Sequence, residues 1–204
     1  MAVTEAPYET LIIDPPPPQP VRPRVLLVGT ALAAAASLMV FAGLMGLYIS
    51  ERSAAVNAGE AWIPDGVHLP LAPGTISLFT FVLSGITMWW AVDAVGRNDR
   101  AGAYLALALT IMFGLCVINA SSFLYGQSGL AVATKPGLLI FTITGLHLLM
   151  VAGALVYAAV MTFRTLGGEY HGQRDREGLV AAALYWYTTI AVYSVIWYAI
   201  YVTK

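Results

Sequence analysis

The segment FTITGLHLLMVAG, residues 141–153, sets one histidine, His147, in a run otherwise made of threonines, glycines and apolar side chains. Three chemistries are open to an imidazole there. It can ligate a haem iron, relay a proton, or tie its helix to a neighbour through a hydrogen bond. A haem held within the bilayer by one chain wants a second axial ligand from a facing helix, and the other two histidines, His68 and His171, stand in polar segments. Met39, Met45, Met88, Met112, Met150 and Met161 lie in apolar segments, where methionine ordinarily serves packing. A proton relay wants buried acids or charged pairs. No Asp, Glu, Lys or Arg lies deep in an apolar run, and Asp93 stands near the end of one. The remaining chemistry is a neutral imidazole bonded to a hydroxyl or carbonyl of a neighbouring helix. Asn119, Ser121 and Ser122 are the polar groups expected to meet it.

The elements that would position these groups follow from composition. The chain of 204 residues is 59% hydrophobic and only 10% charged, where soluble domains run at about 45–50% and about 25%. The formal net charge of −1 leaves no electrostatic footprint for nucleic acid. The single cysteine, Cys116, excludes an intramolecular disulfide and a thiolate cluster, and reads as a small hydrophobe. A bilayer span needs about 20 mainly apolar residues in a helix that satisfies its own backbone. Five segments qualify: 25–50, 71–95, 101–125, 137–163 and 179–202. The expected fold is therefore all-α, a polytopic membrane protein of five transmembrane helices.

Residues 1–24 read as a separate, Pro-rich tail. They carry Glu5, Glu9 and Asp14 and lack the apolar core of a signal peptide, so the tail is expected to stay on the protein. Its Asp14-Pro15-Pro16-Pro17-Pro18-Gln19-Pro20 run favours polyproline II, as a stiff spacer or a docking strand. Of the ten basic residues, Arg22, Arg24, Arg97, Arg100, Arg164, Arg174 and Arg176 fall on one side of the five spans, and Arg52, Lys135 and Lys204 on the other. The excess places the N-terminus in the cytoplasm and the C-terminus outside. The short 96–100 connection makes the second and third helices antiparallel neighbours. Trp62, Trp89, Trp90, Tyr185, Trp186, Tyr187, Trp197, Tyr198 and Tyr201 read as interfacial aromatics. Small residues through Ala31–Ala36, Gly43 and Gly46, and at Gly145 and Gly153, are expected to face into the bundle.

Several motifs resemble a known family. Ser37-Leu38-Met39-Val40-Phe41-Ala42-Gly43-Leu44-Met45-Gly46-Leu47-Tyr48 is similar to the SE-x-MFFAGLF-x-x-Y stretch of haem-copper oxidase subunit III. Trp62-Ile63-Pro64, Leu69-Pro70-Leu71 and Leu83-Ser84-Gly85-Ile86-Thr87 resemble its W-x-P loop and second helix. Thr144-Gly145-Leu146-His147 resembles TGFH, and Tyr185-Trp186 resembles the start of YWHF. Helix number, orientation and length match the short five-helix bacterial form. The departures are equally definite. Ser37 stands where the family has a buried glutamate, Ser122 falls near the glutamate of Q-x-x-EY with Asn119 and Phe123 flanking, Met150 replaces a second histidine, and Tyr187 and Ile190 occupy the HF-x-D positions.

The resemblance implies a non-catalytic subunit without a cofactor of its own, packed beside catalytic subunit I, which carries haem and copper, in the bacterial plasma membrane. It implies bound phospholipid in a cleft, with Ser37, Asn119, Ser122, His147 and Tyr187 as candidate interior polar or lipid-cleft positions. The whole complex would reduce oxygen and translocate protons. Two alternatives stay open: a subunit-III-like companion of a nitric oxide reductase, and a small independent transporter. The absence of internal repeats and of midplane acids weighs against the transporter.

Overall fold

The computed structural model describes residues 24–64, 66–67, 69–167 and 176–203. The Pro-rich tail, apart from Arg24, lies outside the described residues, as do His68 and His171. Five helices follow in order: α1 (Val25–Asn57), α2 (Leu71–Gly96), α3 (Arg100–Gln127), α4 (Lys135–Leu166) and α5 (Glu177–Ile196), the last continued by a π-helical segment, Trp197–Val202. All five are long and apolar enough to cross a membrane. In hydrocarbon each backbone amide must find its partner within the segment, which is why continuous helix is the outcome even for valine- and threonine-rich stretches.

Local chemistry sets several ends. Asn98 takes the left-handed conformation (φ 58°), a position that asparagine tolerates better than most residues. With Asp99 N–H donating to Ala94 O (2.9 Å), the chain reverses within a few residues. Asp99 then caps α3 by accepting from Gly102 N at 3.0 Å. The reversal packs α2 and α3 side by side and antiparallel, as their short connection leads one to expect. Thr134 caps α4, accepting from Gly137 N at 3.2 Å, with Pro136 in the first turn where its missing N–H is harmless. α1 runs seven residues beyond the expected span. Residues 51–57 hold no helix breaker, so the helix continues past the apolar stretch.

α5 is the central element, packing against α1, α2 and α4, while α3 also packs on α4. It can sit there because Ala181, Ala182 and Ala183 are small and buried. At its start the Glu177 carboxylate accepts from Leu27 N at 3.2 Å, tying α5 to the first turn of α1. One cluster of buried side chains, around Phe81, Leu107, Leu155, Leu179 and Trp186, joins α2 to α5. A second, around Phe41, Tyr48, Trp62, Ile143 and Ile200, joins α1, α4, α5 and the 58–70 connection. Large aliphatics point outward: Val25, Leu32, Met39 and Leu149 are each at least 68% exposed, as suits a surface solvated by acyl chains.

Two expectations are corrected. Gly43, Gly46, Gly145 and Gly153 have open space where a Cβ would stand. α1 buries only a narrow stripe of Thr30, Ala34, Phe41, Met45 and Tyr48, so of its small residues Ala34 faces the bundle while Gly43 and Gly46 face away. Glycines that do permit close approach between helices include Gly74, under the Tyr201 ring, Gly85, against Ile190, and Gly114, between Leu155 and Trp186. The aromatics also divide. Trp89 and Tyr198 are exposed as girdle residues should be, but Trp186 is fully buried and Trp62 is 8% exposed. Each buried indole has a polar partner: Trp62 Nε1 donates to Tyr48 OH (3.2 Å) and Trp186 Nε1 to Ser84 Oγ (3.0 Å).

Candidate functional site

His147 is 2% exposed. Its Nε2 lies 3.1 Å from the carbonyl oxygen of Thr189 on α5. A carbonyl only accepts, so this nitrogen carries the proton and donates. The Thr189 hydroxyl is turned back to Trp186 O at 2.6 Å. Around the imidazole stand Phe41 of α1, Phe81 of α2 and Tyr193 of α5, with ring centroids 6.2, 5.6 and 5.3 Å away. Four helices therefore meet at one side chain. The bonded nitrogen and the enclosing rings leave no face of the imidazole open to a macrocycle.

The partner differs from the one expected. Asn119 and Ser122 are exposed and sit on the outward side of α3, while Ser121 is half-buried. Ser122 Oγ donates to its own helix, at Ile118 O (2.9 Å). Two α3 side chains do reach α4: Tyr125, whose OH donates to Thr144 Oγ1 at 2.7 Å, one turn before His147, and Tyr104, whose OH donates to Thr165 O at 3.4 Å near the other end of α4. Periodicity alone could not separate these cases, because both faces of α3 carry polar groups.

A polar seam runs beside this cluster. The Thr87 and Thr110 hydroxyls lie 2.8 Å apart across α2 and α3. Ser84 joins α2 to Trp186, Tyr193 OH donates to Gly74 O (3.2 Å), and Trp197 Nε1 donates to Thr75 Oγ1 (3.1 Å). The π-helical segment begins at Trp197 and lays Tyr201 over Gly74. Interhelical bonds of this sort contribute about 0.6–2 kcal/mol each within a bilayer. Thr189, Ser84, Trp186 and Tyr193 escape a sequence reading, since hydroxyls are common in these spans and nothing local marks which face the core.

Ser37 stands elsewhere, half-buried, with its hydroxyl donating to Ala33 O at 2.9 Å. It lines an open groove between α1 and α4 of about 320 Å³, walled by Ala36, Val40, Phe41, Leu146, Leu149, Met150 and Tyr185. Phe41 is shared between the groove and the His147 cluster. Tyr187 is 39% exposed and its OH donates to Gly85 O at 3.3 Å. The five candidate positions thus separate into a sealed centre (His147), a groove wall (Ser37), a half-open α2–α5 contact (Tyr187) and the outer face of α3 (Asn119 and Ser122). Among the described residues no three His, Cys, Asp or Glu side chains come together as a metal site would require.

Comparison with known proteins places the chain. The family model for cytochrome c oxidase subunit III matches residues 21–204. Cytochrome c oxidase subunit 3 of the carp Cyprinus carpio is 30% identical over 182 residues, covering 86% of this chain and 69% of that protein. The subunit 3 of the sea urchin Strongylocentrotus purpuratus is 30% identical over 165 residues, covering 79% of this chain and 63% of the relative, so the match spans less than two thirds of that longer protein. The probable cytochrome c oxidase subunit 3 of Mycobacterium bovis is 26% identical over 185 residues, covering 87% of this chain and 89% of its own length. With five apolar helices described and the match running through all of them, the chain belongs to the cytochrome c oxidase subunit III family.

Proposed function

We propose that this chain is a cofactor-free accessory subunit of a bacterial haem-copper terminal oxidase, packed beside the catalytic subunit in the plasma membrane. The observation that carries the reading is the family match over 21–204, joined to the near-full-length correspondence with the mycobacterial relative. The interior chemistry agrees with it. His147 spends its bonded nitrogen on a helix carbonyl, and the seam around it is made of hydroxyls and indoles rather than acids. Such a centre holds helices together. It offers a proton no carboxylate to occupy.

The N-terminus is cytoplasmic in this reading. Arg24, Arg97, Arg100, Arg164 and Arg176 lie at one end of the bundle, and Arg52 and Lys135 at the other. The Ser37 groove takes a phospholipid acyl chain, because its walls are apolar apart from one serine and one tyrosine. Mild-detergent purification followed by partner identification and a redox difference spectrum tests the assignment. A haem- and copper-bearing catalytic subunit should co-purify. Co-purification with a non-haem-iron reductase, or of this chain alone, overturns it. Filling the groove with Ala36→Trp should lower the phospholipid retained per chain in native mass spectrometry.

A further inference from the structure

The π-helical segment Trp197–Val202 turns Tyr201 inward: the residue is 9% exposed and its ring lies on Gly74 of α2. Turns of this kind are rare and gather at functional sites. The Tyr201 hydroxyl has no hydrogen-bond partner among the described residues. Serine and threonine hydroxyls nearby fold back onto their own helix, Ser194 on Ile190 O and Thr203 on Ala199 O. A phenol holds its hydroxyl too far from the backbone for that.

Tyr201 lines a cavity at the end of the bundle where α3 finishes and α4 begins. The cavity offers about 20 Å³ to a water-sized sphere, where one water needs about 10–15 Å³. That leaves no room for a lipid headgroup. Leu124, Leu130 and Ile140 make buried apolar walls, and Tyr125, Ser128 and Thr144 bring three further hydroxyls. The protons of those three are already committed: Tyr125 OH donates to Thr144 Oγ1, Thr144 Oγ1 to Ile140 O, and Ser128 Oγ to Tyr125 O. Their oxygens keep lone pairs to accept with. The Tyr201 and Tyr125 hydroxyls are close enough to interact electrostatically yet do not bond directly. Ser77 Oγ on α2 also lacks a partner, but it is closed to a water-sized sphere on every side.

We propose that this cavity binds one structural water, which accepts from Tyr201 O–H and donates to the Tyr125 oxygen and to Ser128 Oγ. Three partners are the usual number for a buried water. Trp197 ties the π-helical segment to α2 through Thr75; the water extends that hold to α3 and α4. The site is independent of which complex the chain serves.

The test is a structure of the complex that resolves ordered water, for the natural chain and for Tyr201→Phe and Tyr125→Phe. The natural chain should show a single peak about 2.5–3.0 Å from both phenol oxygens. Tyr201→Phe keeps the ring on Gly74 and should lose the peak, and Tyr125→Phe should lose it as well. In hydrogen exchange, the amides of residues 199–203 should exchange about 2- to 13-fold faster in either variant, the range of one net hydrogen bond. Ser77→Ala, the control, should leave peak and exchange unchanged. No peak in the natural chain, an elongated density of detergent or acyl chain, or a peak that survives both changes overturns the water site. Exchange that neither variant alters overturns it too.

Discussion

At the residue scale, the decisive feature is that His147 serves architecture. Its imidazole fills the junction of α1, α2, α4 and α5 and donates to Thr189 O. His147→Ala removes that bond and opens a cavity, at a cost of about 2–4 kcal/mol. The expected result is a lowered unfolding temperature and reduced incorporation of the chain into its complex, with haem content per assembled complex unchanged in a pyridine haemochrome assay. Loss of haem from intact complex would contradict the structural role. Ser37 invites the reverse experiment. Its groove walls offer no cation, so Ser37→Glu sets an acid among apolar side chains near mid-membrane. That should cost about 2.5–3.5 kcal/mol and lower the yield of folded chain in membranes, whereas Ser37→Ala should be close to neutral.

At the element scale, α5 is the axle and its contacts depend on where small residues let helices approach. Gly114 of α3 marks one such point: a Cβ there would stand 2.7 Å from both Leu155 and Trp186. Trp186 is held by its bond to Ser84 and has nowhere to retreat. Gly114→Leu should therefore destabilise the purified chain by about 1–3 kcal/mol, read from its thermal midpoint. Gly43→Leu, where nothing lies within 4 Å, should change it by less than about 0.5 kcal/mol. Equal effects at the two sites would refute this packing.

At the scale of the whole molecule, the bundle has a sealed interior and two kinds of exterior. Most of the outer surface is aliphatic and suits lipid, while single polar side chains such as Asn119 on α3 and Thr142 on α4 interrupt it. The proposed orientation can be checked directly with two single-cysteine variants made in a Cys116→Ser background. Asn98→Cys in the α2–α3 turn should react with a membrane-impermeant maleimide only in inverted vesicles. Ala133→Cys, between α3 and α4, should react in intact cells. The opposite pattern would invert the topology.

Number, order and apolar extent of the spans were legible in the sequence because hydrocarbon imposes one requirement on every span: about 20 apolar residues whose backbone bonds close within the segment. The α2–α3 pairing was legible too, since five residues leave no alternative. Facing was not. In a soluble helix the polar side declares itself, but in a bilayer both sides are apolar, and glycine, serine and threonine occur on either. Hence Gly43 and Gly46 turned outward, Trp186 turned inward, and the imidazole found Thr189 of α5 instead of Asn119 or Ser122 of α3. Which of several equally apolar faces meet is decided by side-chain fit between helices far apart in the chain, and only the tertiary structure holds that information.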